Sequence, residues 1–294
     1  MKSLAREDAV AIARVVAADV ATRADTADRE GRLPPEDVEA LKRSGILSFV
    51  VPSEYGGPGL SCRTCIEAQF ELAKGSGSTA LVAGMTLQIV GNARDLGSWR
   101  PADFERLGGA VLKGGLLNSV ASEPELGSPS RGGLFRTQAV KTEGGYVING
   151  HKTWTTGGRH LTHLLVRATL DNSAVVILIE GDRDGIRWEE TWRDALSLRA
   201  SDSHDVRFVD VHVPEDHRIV TNPSKGPGPW FPMVLGATYL GVATAARDTL
   251  IQFALDRAPT ALGEPIATLP KIQREIGEID TILMAARALL FEVA

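Results

Sequence analysis

Cysteine is nearly absent from this sequence: Cys62 and Cys65, in the run Cys62-Arg-Thr-Cys65, are the only two. A CxxC pair invites a redox or zinc reading. Zinc wants four ligands, and no second Cys or His cluster stands nearby. The plainer reading is two thiols on one face of a helix over Cys62–Lys74, in a reducing compartment. Excess charge of one sign is missing as well. The net charge of −5 and a pI near 5.7 give no general attraction to nucleic acid or to an anionic membrane. Long hydrophobic runs are lacking too. The longest, around Leu164 and Val175–Ile179, are strand-sized, so no membrane span is expected. The N-terminus, Met-Lys-Ser-Leu-Ala-Arg-Glu-Asp, carries early acidic residues and no apolar core. That argues against a secretory signal, and a cytoplasmic protein is the expectation.

What is present is apolar content of 43% over 294 residues, enough for a large core in two or more layers or domains. Leu4–Ala27 is alanine-rich, with Val10, Ala13, Ala17 and Val20 at helical spacing. Pro35 suits the first turn of a second helix, Glu36–Ser44, which Gly45 ends. Helices follow at Ser61–Lys74 and at Ser78–Val90, the latter preceded by the capping run Ser76-Gly-Ser-Thr, and Pro101 opens a short one. Residues 1–115 therefore read as an all-α domain.

From Leu116 the period changes to two. Strands are expected at Phe135–Lys141, Gly145–Asn149, His151–Thr155, His163–Ala168, Ala174–Glu180, Ile186–Glu190 and Asp205–Val213. Regular turn residues between them predict an antiparallel barrel or sandwich over residues 116–223. Six scattered histidines (His151, His160, His163, His204, His212 and His217) show no ligand spacing, and no metal site is expected. A linker, Asn222-Pro-Ser-Lys-Gly-Pro-Gly-Pro, leads into helices over residues 224–294. Trp230–Asp256 is the first. The last starts at Pro270, with Thr268 as a candidate cap. It carries Ile272, Ile276, Ile279, Leu283, Ala286 and Leu290 at 4-3-4-3-4 spacing, a face built to pack on other helices.

The chemistry concentrates in Leu117–Val166. Asn149-Gly150, after Tyr146-Val147-Ile148, predicts a tight hairpin turn, because both residues tolerate positive φ. Trp154, Thr155 and Thr156 follow, a bulky aromatic beside two hydroxyls just before Gly157-Gly158. Such a group suits a wall for a flat ring with polar edges.

Ser-Glu-Pro-x-x-Gly-Ser at Ser122–Ser128, then Tyr-Val-Ile-Asn-Gly-x-Lys-x-Trp-x-Thr at Tyr146–Thr156, resembles the middle domain of the acyl-CoA dehydrogenase family. The turn at Pro52-Ser-Glu-Tyr-Gly-Gly-Pro-Gly and the runs Leu198–Ser203 and Val209–Pro214 extend the likeness over nearly the whole chain. The resemblance implies an α+β multidomain fold, with a helical domain, a β domain and the start of a helical bundle. It implies an oxidoreductase that holds FAD beside an acyl-CoA or similar thioester and oxidises it at Cα–Cβ. A homo-oligomer, dimer or tetramer, and an electron-acceptor protein come with it. By the resemblance, Thr156 would meet the flavin N5 edge, Trp154 and Thr155 the ring, and Ser122 with the Ala121 backbone the pyrimidine edge. Ser128 would lie near the substrate, and Arg257 would reach FAD phosphate across a subunit contact.

The sequence also departs from the family. The usual Gly-Ser-Asp continuation is Gly127-Ser128-Pro129-Ser130-Arg131, with an insertion before Thr137. Ala258-Pro-Thr-Ala-Leu-Gly lengthens the stretch after Arg257. Phe231 stands where one branch of the family carries its glutamate base, and the other branch's base lies beyond Ala294. Glu123 could stand in, but a glutamate before proline in such a loop reads as a structural carboxylate. The chain looks C-terminally truncated relative to the family. A flavin monooxygenase of the same fold, or a non-catalytic remnant or assembly subunit, are the alternatives these departures leave open.

Overall fold

The structure is a computed structural model, and it describes residues 4–126, 133–220 and 228–294. Five helices come first: α1 (Arg6–Glu30), α2 (Pro35–Ser44), α3 (Cys62–Gly75), α4 (Gly77–Leu96) and α5 (Pro101–Leu112). Their ends follow local chemistry. Gly31 and Gly45 take left-handed φ after α1 and α2, where a side chain would be strained. Ser61 and Ser76 accept from the Thr64 and Thr79 amides and so cap α3 and α4. Between Leu112 and Leu117 the chain changes from helix to strand, as the change of period predicts.

Eight strands form one sheet: β1 (Leu117–Val120), β2 (Gln138–Thr142), β3 (Gly145–Thr155), β4 (His163–Leu170), β5 (Ser173–Glu180), β6 (Ile186–Glu189), β7 (His204–Pro214) and β8 (Arg218–Ile219). Their order is β6-β7-β3-β2-β4-β5-β8, with β1 beside β4. Most pairs are antiparallel, but β1 and β2 both run parallel to β4. The intervening β2–β3 excursion supplies the long connection that a parallel pair requires.

The expected hairpin at Asn149-Gly150 is corrected. β3 runs unbroken through both residues, and the hairpin turn lies at Glu143-Gly144, with Gly144 at φ +84. Asn149-Gly150 instead stands opposite a bulge in β7, between the pairs Ile148–Val211 and Gly150–Phe208. Asn149 there exchanges hydrogen bonds with Asp210, its Nδ2 donating to Oδ1 and its Oδ1 accepting from the backbone amide. Gly150 is required by space rather than by φ: a Cβ would stand 2.3 Å from Thr137 Oγ1.

Two long helices complete the chain, α6 (Trp230–Asp256) and α7 (Pro270–Val293). Thr268 does not cap α7. Leu269 holds the N-cap position, and the Thr268 hydroxyl donates to Pro265 instead. α6 lies against α4 through glycines. A Cβ on Gly91 would fall 2.3 Å from the ring of Trp230, which is fully buried. No residue of α7 is buried, although Ile272, Ile276, Leu283 and Leu290 are half-buried on its inner side. Among the described residues no helix is long and apolar enough to cross a membrane. Burial pushes the Cys62 thiol up to about 11 and raises Cys65 further, so neither is a ready thiolate.

Candidate active site

A cleft of about 570 Å³ opens where the helices meet the sheet. α4 contributes Leu81 and Met85, β1 and the loop after it Asn118, Ser119 and Ser122, and α6 Phe231, Leu235 and Tyr239. Trp154 and Thr156 close one side, and the segment Trp192–Leu198 with Ser203 closes another.

The end of β3 shows how Trp154 arrives there. The β3–β7 register shifts between Lys152 and Thr155, so Trp154 is left out of the pairing. Its φ is +57, a conformation that costs a bulky residue about 1–3 kcal/mol and that only a well-packed surround maintains. The indole is 61% exposed and faces the cleft instead of the core. Thr155, next along, turns the other way. It is buried, absent from the cleft lining, and its hydroxyl finds no partner among the described residues.

Thr156 turns back into the cleft. Asn118 Nδ2 donates to its carbonyl at 2.9 Å, and its hydroxyl lies 2.8 Å from Ser203 Oγ. Ser203 Oγ is in turn 2.7 Å from Ser201 Oγ. When Ser201 donates to Ser203 and Ser203 to Thr156, the Thr156 proton is free to point into the cleft. The rim segment is also held. The Trp192 amide donates to His204 Nδ1, which leaves the ring proton on Nε2 beside Asp202, and Trp192 Nε1 donates to the Leu198 carbonyl.

The cleft therefore gathers Ser122, Trp154 and Thr156 of the expected residues. Ala121 is half-buried and is not part of the lining, whereas Phe231 is. Arg257 is exposed at the C-terminal end of α6 and does not line it. Ser128 lies outside the described residues. Asn118, Tyr239 and the Trp192–Ser197 rim are additions that the motifs did not single out, whereas Leu198 and Ser203 belong to the family-like run Leu198–Ser203, for which no site role is expected from the sequence. None of the described lining residues carries a carboxylate or a cation.

Glu123 is not part of the lining. It is buried, pairs with Lys152 Nζ at 2.8 Å, and accepts from the Arg136 and Thr137 amides at 2.7 and 3.0 Å. Burial opposes its ionisation, yet those donors outweigh it and hold the carboxyl below its ordinary range. A carboxylate tied down in this way is structural, as the Glu-Pro context predicts. The histidines are not all isolated, however. Strand pairing brings His151 within reach of Glu189 and Asp205, a cluster that spacing in the sequence does not show. Glu189 there pairs with Arg207, and Asp205 accepts from the Thr191 hydroxyl, so both carboxylates already have partners.

The chemistry of the cleft fits a flavin ring. An aromatic wall, an apolar floor and hydroxyl and amide groups on one rim match a flat group that is apolar on its faces and polar along its edge.

Comparisons with known proteins agree. The family model for the acyl-CoA dehydrogenase N-terminal domain matches residues 6–98, and that for the middle domain residues 119–211. The chain is 36% identical over 272 residues to the putative acyl-CoA dehydrogenase YdbM of Bacillus subtilis, covering 91% of this chain and 71% of that protein. It is 28% identical to the mitochondrial isovaleryl-CoA dehydrogenase of Arabidopsis thaliana, over 94% of this chain and 69% of that one. Among solved structures, FMN-bound TdsC from Paenibacillus sp. A11-2, a dibenzothiophene monooxygenase, has a TM-score of 0.85 at 26% identity, covering 97% of this chain and 75% of that one. Butyryl-CoA dehydrogenase from Megasphaera elsdenii shares the fold, with a TM-score of 0.86 at 23% identity over 98% of this chain and 78% of that one. The chain belongs to the acyl-CoA dehydrogenase family of flavin-dependent oxidoreductases, whose cofactor is FAD.

Proposed function

We propose that the cleft holds the isoalloxazine of FAD beside an acyl thioester, and that the chain takes part in oxidising that thioester at Cα–Cβ. The observation that carries this reading is the meeting of Trp154, Thr156 and Ser122 in one cleft from two separate motifs. A bound flavin supplies the hydride acceptor. The residues of the chain do the rest. Trp154 covers one side of the ring, and Thr156, oriented by Ser203, donates to its reactive edge. Ser122 and Ser119 meet its polar rim. Leu81, Met85, Phe231, Leu235 and Tyr239 enclose the acyl group and exclude water, which strengthens each donor. The absence of charge in the described lining favours a neutral, apolar acyl group. We assign FAD-phosphate contact to Arg257 of a second copy, because in its own chain Arg257 lies away from the cleft. A homo-oligomer follows from that assignment.

A second reading is supported by one feature. Phe231 lines the cleft where a glutamate base is expected, and no described lining residue is a carboxylate. A monooxygenase working with reduced flavin and oxygen needs no base for an α-proton. Mixing the FAD-loaded chain with acyl-CoA in the absence of oxygen separates the two. Bleaching of the flavin absorbance supports dehydrogenation. An unbleached flavin, together with oxygenated product from an aromatic substrate, reductant and oxygen, supports the second reading.

A further inference from the structure

We infer that Lys152 is a positioning residue for the flavin rim: from behind the loop, its ammonium turns the Ala121 carbonyl inward and so presents the Ser122 amide to the cleft. The inference rests on the flavin reading of that cleft and adds a residue that does not touch it.

The geometry is as follows. Lys152 lies on β3, outside the cleft lining, and is fully buried. Its Nζ donates to Glu123 Oε1 at 2.8 Å and reaches the Ala121 carbonyl at 3.4 Å. The Phe135 ring stands 4.5 Å from it and closes the site on a further side. One residue along β3, the Thr153 amide donates to the Ser122 carbonyl at 3.0 Å. Two successive carbonyls of the loop are therefore drawn toward β3. In a trans peptide the N–H points opposite to the C=O, and no peptide bond among the described residues is cis. The Ser122 amide must then point away from β3, on the side where Ser119, Ser122 and Thr156 line the cleft. The Ser122 amide has no backbone acceptor among the described residues. A fixed N–H donor at the rim of a ring-shaped cleft suits an electronegative edge.

A buried lysine is an expensive way to hold a loop. Glu123 already accepts from the Arg136 and Thr137 amides and could anchor the loop without a cation. What the cation adds is direction. It binds the carboxylate and the neighbouring carbonyl together and so sets the rotation of the Ala121–Ser122 peptide.

The test uses Lys152→Met and the double variant Lys152→Met/Glu123→Gln. The single variant strands a buried carboxylate and can fail to fold. The double variant removes both charges but keeps only one of the two oxygens that the Arg136 and Thr137 amides use, so Glu123→Gln alone is measured beside it as the control for that lost acceptor. Ile177→Val, in the core of β5 and away from the cleft, serves as the control for simple destabilisation. In the folded double variant, hydrogen exchange of the ligand-free chain should speed up at the Thr153 amide by about tenfold or more, because that bond reports the grip of the loop on β3. The FAD dissociation constant should rise by about tenfold, and a ring-carbonyl stretch of isotope-labelled FAD should move to higher frequency as its donor weakens. Ile177→Val should leave all of these unchanged. Wild-type exchange at Thr153 in the double variant overturns the inference, whatever happens with flavin. Faster exchange with unchanged FAD affinity and carbonyl frequency also overturns it, because the loop then moves without consequence for the rim. If the wild-type chain takes up no FAD, the flavin reading fails by itself, and Thr153 exchange still decides whether Lys152 sets the peptide.

Discussion

Replacing Thr156 by valine removes one hydroxyl and leaves the shape. Thr156 is almost wholly buried, with its hydroxyl 2.8 Å from Ser203 Oγ. Ser203 keeps Ser201 at 2.7 Å, so no deep donor or acceptor is left alone. The stability loss should therefore be that of one ordinary hydrogen bond, about 0.5–1.5 kcal/mol. For a chain of this size that lowers Tm by about 2–6 °C. The effect on flavin should be larger in kind. Loss of a donor at the ring edge should weaken FAD by about fivefold to tenfold, and should slow flavin reduction by up to about 10²-fold if charge develops at that edge. Thr156→Ser keeps the donor and should behave nearly as wild type. The assay is flavin titration by absorbance, a thermal melt, and stopped-flow reduction on the same preparations. Valine with wild-type affinity, spectrum and rate would refute the placement of Thr156 at the ring.

Three further outcomes follow from the structure. Gly91→Ala should cost about 1–3 kcal/mol by overpacking, since its Cβ would meet the Trp230 ring at 2.3 Å; urea unfolding measures this. Burial pushes the Lys152 ammonium down to about 8, from 10.5 for an unhindered lysine, despite the opposing pull of Glu123. Between those values the unfolded chain holds the proton and the folded chain does not, so the contribution of this group to stability rises with pH across that window. Urea midpoints at about pH 7.5 and 9.5 should show that rise in wild type, and Lys152→Met/Glu123→Gln should lack it. Over the same interval FAD affinity should fall, because the neutral amine grips the loop less. Finally, Phe253 and Leu255 on α6 and Ile282 and Leu289 on α7 are exposed apolar side chains, and in the homo-oligomer proposed above they would be covered by a second copy. Light scattering should show self-association that Leu289→Lys with Ile282→Lys reduces.

Much of the fold was legible because its signals are local. Helix starts at Pro35, Ser61 and Ser76 are written in cap chemistry, and α6 spans Trp230–Asp256 as its apolar content predicts. The hairpin was misplaced because Asn-Gly serves two physical needs. A tight turn wants positive φ, whereas Gly150 answers the close approach of Thr137, which lies just before β2. Spacing alone does not separate those cases. The parallel placement of β1 and the cluster of His151, Glu189 and Asp205 depend on strand order, which is not local either. In the cleft, the two motifs identified Ser122, Trp154 and Thr156. Thr155 faces the interior because the bulge at the end of β3 reverses the alternation at that point. Tyr239 and Leu235 could not be chosen from a helix that is apolar nearly all round until α4 was seen to cover its other side.

The central claim is that flavin sits in this cleft. Its most direct test is FAD titration of the wild-type chain against Ser122→Tyr, which places a ring in the cleft from a rim position and disturbs no buried group. Wild type should bind FAD with quenching of tryptophan fluorescence, since Trp154 and Trp192 line the site, and Ser122→Tyr should fold normally and bind at least about tenfold more weakly. Equal FAD binding by the two, or none by wild type, would contradict the account.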